Sequence, residues 1–313
     1  MSAYIRGFGL YLPSRIVTNA EIAPMVGADE AWLLQVTGIA ERRFAAPQET
    51  VAELGLFAVR DCLERAGMQA NDIGFILAAS GSSERRFPGP ASSIGAALGI
   101  PGVPAIDLPI ASAGSLVGIA MASHLAAAYG NVLVIGTEVM SRAVQVSPLH
   151  RDTAILFGDG AGACIVSPDK GFARIVDSVL HTDGDYAESL QLHLDTPLFM
   201  DGRSVILHAT RKLPRVILEV LDRNGRKAAD IGTFLLHQAN LNLITKVAQT
   251  LRVPESKFYS NIQRYGNTSS ASLLIAAAEW HNGGGTFDAP VVMAVFGAGL
   301  NWGSVLLEGM SSE

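Results

Sequence analysis

Short apolar runs alternate with longer helical patterns along this chain, and this alternation is the feature that most constrains its fold. Runs with the length and composition of buried strands occur at 75–79, 132–135, 161–166, 234–236 and 291–296. Helical patterns, amphipathic or rich in Ala, occur at 51–67, 112–129, 205–224, 241–251 and 269–280. Short strands that alternate with helices predict an α/β fold with mostly parallel strands.

A second pattern indicates an internal duplication. The strand predicted at 132–135 is followed by the Gly-rich segment 157–163, which leads into another apolar run. Near the C-terminus, the strand at 291–296 is followed by Gly297-Ala-Gly299 and then by a closing apolar run. Gly-rich turns between strands are also common in chains without repeats. We nevertheless predict two similar α/β halves, residues 1–168 and 169–313.

Composition and charge exclude several classes of partner. Of the 313 residues, 49% are hydrophobic and 17% are charged, so the chain is long enough to bury a large core. The net charge of −6 argues against a nucleic-acid partner. The most apolar segment, 111–129, contains Ser112, Ser115 and His124, so we interpret it as a buried helix and predict no membrane span. No signal-peptide pattern begins the chain.

The two cysteines and the remaining polar residues indicate a reducing compartment and no metal. Cys62 falls within a helical pattern and Cys164 within an apolar strand, so both are expected to be buried core thiols. Such usage favours a cytoplasmic location. No cluster of His and Cys has metal-ligand spacing, so we predict no metal site.

Ser112 is the first residue with a potential chemical role. It stands between an apolar segment and the predicted helix 112–129, at or just before the helix N-terminus. Backbone N–H groups and the positive end of the helix dipole stabilise an anion at such a position. Serine is also a preferred N-cap residue, and position alone favours that role over a nucleophile. Both interpretations stay open from the residues alone.

His237 and Asn267 form a potential pair with Ser112. His237 ends an apolar run and is followed by Gln238 and Asn240, which can orient its ring. Asn267 lies in a Gly-Asn turn before an Ala-rich helix, where an Asn is often conformational. A His and an Asn that converge can each donate a hydrogen bond to one carbonyl oxygen. That arrangement stabilises a thioester enolate, so the three residues together predict an acyl-transfer site.

Nearly the whole chain resembles the β-ketoacyl-ACP synthase III family of the thiolase superfamily. The motifs that carry the resemblance occur in order: Gly7-Phe-Gly-Leu-Tyr-Leu-Pro13, Trp32 with Thr37-Gly-Ile39, Phe87-Pro88, Asp107 with Ser112-Ala-Gly114, Arg151 with Phe157-Gly-Asp-Gly-Ala-Gly-Ala163, His237-Gln-Ala-Asn240, Tyr265-Gly-Asn-Thr-Ser269, and Phe296-Gly-Ala-Gly299 with Trp302-Gly303. The resemblance implies a duplicated, five-layered αβαβα thiolase fold and a homodimer. It also implies that Phe87 reaches across the dimer to form a wall of the partner's acyl pocket.

The family's reaction is a decarboxylative Claisen condensation, which initiates fatty acid or polyketide synthesis. A short acyl group passes from CoA to an active-site Cys, and a malonyl thioester then loses CO₂ and attacks it. The resemblance assigns enolate stabilisation to His237 and Asn267. It assigns the oxyanion hole to the N–H groups of Ser112 and of the turn that ends at Gly299. A CoA thioester is the expected substrate, and no cofactor is expected.

The resemblance also assigns residues to substrate binding. Trp32 and Arg151 are expected to clamp the CoA nucleotide, although Val36 replaces an Arg that commonly stacks on its adenine. Asn240 is expected to contact the substrate next to His237. Leu207 and Asn242 replace basic residues that dock an acyl carrier protein, so that partner is left open. Arg211, Lys212, Arg215 and Lys246 either form a substitute basic patch or are ordinary solvated helix residues.

The main departure from the family is Ser112 itself, since the family nucleophile is a Cys. A serine hydroxyl needs a general base, and His237 is the only evident candidate. The chain is then a natural variant that uses Ser–His chemistry, including transfer to another acceptor, or an engineered Cys→Ser form. A third alternative is a decarboxylase or inactive paralogue that acts as a partner subunit of an active relative.

Overall fold

The structure is a computed structural model that describes residues 2–144, 149–193 and 196–310. Its strands are β1 (Ala3–Tyr11), β2 (Arg15–Thr18), β3 (Glu41–Phe44), β4 (Ile73–Ala79), β5 (Ala105–Leu108), β6 (Asn131–Val139), β7 (Asp159–Ser167), β8 (Ala173–Thr182), β9 (Leu190–Gln191), β10 (Phe199–Met200), β11 (Thr233–Leu236), β12 (Phe258–Tyr259), β13 (Val291–Gly297) and β14 (Asn301–Gly309). Its helices are α1 (Asn19–Val26), α2 (Glu30–Thr37), α3 (Val51–Ala66), α4 (Pro90–Ala97), α5 (Gly114–Tyr129), α6 (Met140–Val144), α7 (Arg151–Ala154), α8 (Gly202–Arg223), α9 (Leu241–Leu251), α10 (Ile262–Tyr265) and α11 (Ser272–Asn282). Every strand and helix predicted from the sequence is present, and the α/β class is confirmed.

A ten-stranded sheet runs in the order β12-β11-β13-β14-β8-β1-β7-β6-β4-β5. The three strands at each end pair in parallel, whereas all pairings between β13 and β6 through the middle of the sheet are antiparallel. The prediction of mostly parallel strands is therefore wrong. Strands β1 and β8 were not predicted, because antiparallel strands need no helical crossover and mix polar with apolar residues.

The strand order repeats on either side of the β1–β8 pairing. One side reads β5-β4-β6-β7-β1 and the other reads β12-β11-β13-β14-β8, so each strand has a counterpart in the same position and chain order. We propose that the halves divide at residues 168 and 169, because β7 ends at Ser167 and β8 begins at Ala173.

The helices form layers with the two sides of this sheet. Helices α5 and α11 lie in the centre, where Leu116 and Leu273 share one core with strands of both sides. Helices α3 and α4 cover one outer face, and α8 and α9 cover the other. The result is the predicted five-layered αβαβα order. Both cysteines are fully buried, as predicted, Cys164 in the central core and Cys62 in the core beneath α3.

Close approach of backbone to backbone brings the two sides together near the carboxyl ends of β4 and β6. A Cβ atom at Gly136 would lie 2.3 Å from the carbonyl oxygen of Ser270, so only Gly fits there. Ser270 also donates from its hydroxyl to the carbonyl oxygen of Ala79, at 3.0 Å. The segment that precedes α11 is thereby fixed beside the N-terminus of α5. Among the described helices, none is both long and apolar enough to cross a bilayer.

Candidate active site

Ser112 lies just before α5 and has a left-handed backbone conformation, with φ of 58°. The N-cap of α5 is Ala113, and no side chain caps the helix, so the N-cap interpretation of Ser112 is wrong. A non-Gly residue in this conformation costs about 1–3 kcal/mol and persists only where its surroundings impose it. Gly297 leaves room for the Ser112 side chain, since a Cβ atom at residue 297 would lie 2.6 Å from Cβ of Ser112.

Ser112, His237 and Asn267 line one cavity, with a volume of about 80 Å³. Each comes from a different element: Ser112 precedes α5, His237 follows β11, and Asn267 follows α10. The rest of the lining is almost entirely apolar, and within the described ranges it contains no Asp, Glu, Lys or Arg. Hydrogen-bond donors in such a poorly solvated cavity stabilise a developing negative charge more strongly than they would in water.

His237 is buried, and its environment keeps it neutral at physiological pH. Burial lowers the pKa of the imidazole to about 4. Its Nδ1 atom lies 2.5 Å from Oγ of Ser272, the first residue of α11. The backbone N–H of Gln238 donates to the same Oγ at 3.2 Å. A base works best when its pKa is near the working pH, so this His is poorly suited to remove a proton from a hydroxyl.

Asn267 is oriented by its own turn. Its Oδ1 accepts a hydrogen bond from the backbone N–H of Ser269 at 2.9 Å, which fixes the orientation of the amide. Its backbone pairs with the segment around Phe157, in an isolated bridge. With Oδ1 engaged, the Nδ2 group is the end of the amide that can donate to a ligand in the cavity.

A second, smaller cavity lies on the other side of Ser112, with a volume of about 50 Å³. The residues that line both cavities are Ser112, Phe157 and Leu190. Ser269 and Ala298 line the smaller cavity only, and the Ser112 N–H donates to Oγ of Ser269 at 3.1 Å. Ser112 therefore stands between two cavities, and the hydrogen-bond donors His237 and Asn267 line the larger one.

The other predicted substrate-binding residues are partly assembled. Arg151 lies over the ring of Trp32, with its guanidinium carbon 3.9 Å from the ring centroid. A nucleobase that enters between them must separate the two side chains. Asn240 lines the larger cavity, and it also caps α9 and donates to the carbonyl oxygen of Val36 at 2.9 Å.

Phe87 and Gly299 lie apart from both cavities. The Phe87 side chain is 84% exposed, in the segment before α4. Gly299 has a left-handed φ of 132° in the turn after β13, but its neighbours Gly297 and Ala298 are the residues that line the cavities. The sequence reasoning missed Ser269 and Ser272. The several Ser residues that closely follow Asn267 were the feature of the sequence that could have indicated them.

The two positions at which the resemblance places cations for carrier-protein docking, Leu207 and Asn242, carry no charge. Leu207 is exposed, and Asn242 donates from its side chain to the carbonyl oxygens of Gln35 and Val36. Lys212 is engaged by Asp183, at 2.7 Å, and by the ring of Trp302. In the described part of the chain, no group of three or more His, Cys, Asp and Glu side chains is arranged to hold a metal ion.

Known proteins with similar sequences and structures identify the family. A family model described as 3-oxoacyl-[acyl-carrier-protein (ACP)] synthase III matches residues 106–184, and the model of its C-terminal region matches residues 221–309. The β-ketoacyl-[acyl-carrier-protein] synthase III of Oleidesulfovibrio alaskensis is 37% identical over 330 residues, with 97% of this chain and 98% of that protein covered.

Solved structures agree with the sequence comparison. The 3-oxoacyl-[acyl-carrier-protein] synthase III of Aquifex aeolicus superposes with a TM-score of 0.93 at 34% identity, and covers 98% of this chain and 99% of its own. The priming β-ketosynthase of the R1128 polyketide pathway superposes with a TM-score of 0.91 at 31% identity, with coverages of 98% and 96%. This protein is thus an acyltransferase of the condensing-enzyme class. It belongs to the 3-oxoacyl-ACP synthase III family, which confirms the predicted family and its thiolase fold.

Acid should destabilise the protein through His237. Between pH 6.5, the ordinary pKa of the imidazole, and about 4, its pKa in the fold, the unfolded chain binds a proton that the folded chain does not. The stabilisation is therefore complete above pH 6.5 and is lost as the pH falls. Urea denaturation of wild type should show a loss of unfolding free energy between pH 7 and pH 5 that exceeds the loss in His237→Asn by about 2 kcal/mol. Equal losses in the two proteins would contradict the buried, neutral state of this imidazole.

Proposed function

We propose that the protein takes a short acyl group from acyl-CoA onto Ser112 and condenses it with a malonyl thioester, which initiates a fatty acid or polyketide chain. The observation that carries this proposal is the position of Ser112 between a small cavity and a larger one that contains His237 and Asn267. The smaller cavity has room for a short acyl group, and the larger one has the hydrogen-bond donors that an incoming thioester needs.

The reaction proceeds in two stages at one residue. In the first, Oγ of Ser112 forms a bond to the thioester carbonyl carbon, the C–S bond breaks, and CoA leaves as a thiol with the hydroxyl proton. In the second, the malonyl thioester loses CO₂, and its enolate oxygen accepts hydrogen bonds from His237 and Asn267. The enolate carbon then attacks the acyl carbon, and the C–Oγ bond breaks. The Ser112 alkoxide takes up a proton from solvent, and a 3-oxoacyl thioester and a free Ser112 result.

The serine makes the first stage slow. A thiol has a pKa of about 8.5 and ionises readily at a helix N-terminus, whereas a hydroxyl does not. The N-terminus of α5 favours the developing anion, but no side chain with a pKa near 7 lines the cavity among the described residues. Acylation of Ser112 therefore relies on the helix terminus and on binding, with little help from a base.

One observation favours a second activity at the same site, decarboxylation of a malonyl thioester without acyl transfer. A neutral His237 and the Nδ2 group of Asn267 are sufficient to stabilise the enolate, and that step needs no nucleophile. In this case the protein acts as a decarboxylase or as the partner subunit of an active relative.

Partners and location follow from the same proposal. Trp32 and Arg151 bind the nucleotide of CoA, because their stacked side chains offer an aromatic face and a cation for a base and a phosphate. No cofactor takes part. The exposed Leu207 argues for a carrier protein that docks with little charge contact, or for CoA as the second carrier. The two free, buried thiols support a cytoplasmic location.

Whether Ser112 is the residue that is acylated can be tested by intact-mass measurement after incubation with acetyl-CoA and with longer acyl-CoA thioesters. Wild type should form an adduct that Ser112→Ala lacks, and Ser112→Cys should form it at least about tenfold faster, because the thiolate is the better nucleophile. Ser304→Ala removes a buried hydroxyl that donates to Val216 and serves as the control. Absence of any wild-type adduct, together with CO₂ release from malonyl-CoA, would replace acyl transfer with decarboxylation.

The proposed homodimer can be tested through Phe87. The Phe87 side chain is 84% exposed and therefore available to a partner, and in a dimer it would complete the wall of the partner's smaller cavity. Analytical ultracentrifugation should give a dimer for wild type, and Phe87→Ala should accept longer acyl chains than wild type does. Exposed Phe57, at 38%, provides the matched control as Phe57→Ala. A monomeric wild type with unchanged chain-length preference in Phe87→Ala would rule out this role.

A further inference from the structure

Among the described residues, Ser272 is the one hydrogen-bond partner of the His237 imidazole. It is buried at the first position of α11, and its Oγ lies 2.5 Å from Nδ1 of His237. The other partner of this Oγ is the backbone N–H of Gln238, at 3.2 Å. No further partner of the hydroxyl occurs in the described ranges.

The hydrogen-bonding capacity of a hydroxyl decides the direction of the short contact. A backbone N–H can only donate, so Oγ of Ser272 is an acceptor toward Gln238. The hydroxyl has one hydrogen of its own, and among the described residues Nδ1 of His237 is the one acceptor within hydrogen-bonding distance of it. If Nδ1 carried a hydrogen instead, the hydroxyl hydrogen would be buried without a partner, which costs about 1–3 kcal/mol. Donation from Ser272 to Nδ1 satisfies all three groups.

We propose that Ser272 is a positioning residue that holds His237 as the neutral Nε2–H tautomer, so that the imidazole acts as a hydrogen-bond donor and not as a base. The inference rests on the proposed function for the identity of the acceptor, the enolate oxygen of the malonyl thioester. A hydrogen on Nε2 serves that oxygen directly. The same hydrogen prevents Nε2 from accepting the proton of the Ser112 hydroxyl.

The contrast with a hydrolytic triad supports the assignment. There, a carboxylate accepts the Nδ1–H of the His, which leaves Nε2 free to remove the proton of the serine. Here, Nδ1 faces a hydroxyl, and no carboxylate lines the cavity among the described residues. Glu138, the buried carboxylate on β6, is instead occupied by the N–H groups of Gly81, Ser82 and Ser270. The partner of Nδ1 in this site is therefore a hydroxyl that can donate to it, which leaves the imidazole hydrogen on Nε2.

The tautomer can be read directly by long-range ¹H–¹⁵N NMR of protein labelled at its His side chains. The signals of His237 are assigned by their loss in His237→Gln. Wild type should show a protonated Nε2 and an unprotonated, hydrogen-bonded Nδ1. A protonated Nδ1 in wild type would overturn the proposal, whatever the enzyme does with its substrates.

Variants of Ser272 test the consequence for catalysis. Ser272→Ala should lose the hydrogen-bond shift at Nδ1 and decarboxylate malonyl-CoA about tenfold more slowly, with the loss in kcat rather than KM. Ser272→Thr, which keeps the hydroxyl, should restore both readouts, and Ser304→Ala should change neither. An unchanged Nδ1 signal and rate in Ser272→Ala would also overturn the proposal.

The readouts separate this inference from the proposed function. If wild type has the Nε2–H tautomer but neither acylates Ser112 nor decarboxylates malonyl-CoA, the proposed function fails and the control of the tautomer by Ser272 stands. If the enzyme is active and Nδ1 is protonated, the proposed function stands and the role of Ser272 fails.

Discussion

The hydrogen bonds of one segment, residues 267–272, hold the site together. Asn267 provides a donor to the cavity, and Ser269 accepts the N–H of Ser112. Ser270 bonds to Ala79 and to the buried Glu138 at the ends of β4 and β6. Ser272 contacts His237. Since the segment belongs to one side of the repeated strand order and Ser112 to the other, the relative position of every reacting group depends on this one stretch of chain.

The chemistry of the segment explains why it is rich in small hydroxyl residues. A short side chain that both donates and accepts can satisfy buried backbone groups in a space where a larger one would not fit. The Gly136 contact shows how little room there is, because the backbone of Ser270 occupies the place of a Cβ atom. Stability and catalysis are coupled here. The hydroxyls of Ser269 and Ser270 join the two sides of the sheet, and those of Ser269 and Ser272 contact Ser112 and His237.

Much of the fold was accessible from the sequence, for a physical reason. The strands at 132–135 and 291–296 each have one parallel neighbour and are buried on both faces, so they form continuous apolar runs in the sequence. The antiparallel strand β8 alternates buried and partly exposed residues, contains Asp177 and His181, and has no such signature. The predicted site residues Ser112, His237 and Asn267 share a cavity because each stands next to the end of a strongly patterned element.

The features of the site that could not be predicted from the sequence depend on contacts between residues that are distant along the chain. The backbone at Ser112 is left-handed, and its side chain has room only because residue 297, far away along the chain, is a Gly. The role of Ser272, on α11, depends on a hydrogen bond to His237, which follows β11. The sequence also suggested His237 as a base for Ser112. Burial lowers its pKa to about 4 and its neighbour is a hydroxyl, so the structure supports a donor instead.

The central claim is that His237 and Asn267 jointly bind one thioester oxygen in front of Ser112. A crystal structure with a non-hydrolysable malonyl-CoA analogue, in which the thioester is replaced by a stable carbonyl, tests it most directly. The account predicts that the carbonyl oxygen lies within hydrogen-bonding distance of both Nε2 of His237 and Nδ2 of Asn267, with the CoA nucleotide against Trp32 and Arg151. An analogue bound with its carbonyl oxygen in contact with neither side chain would contradict it.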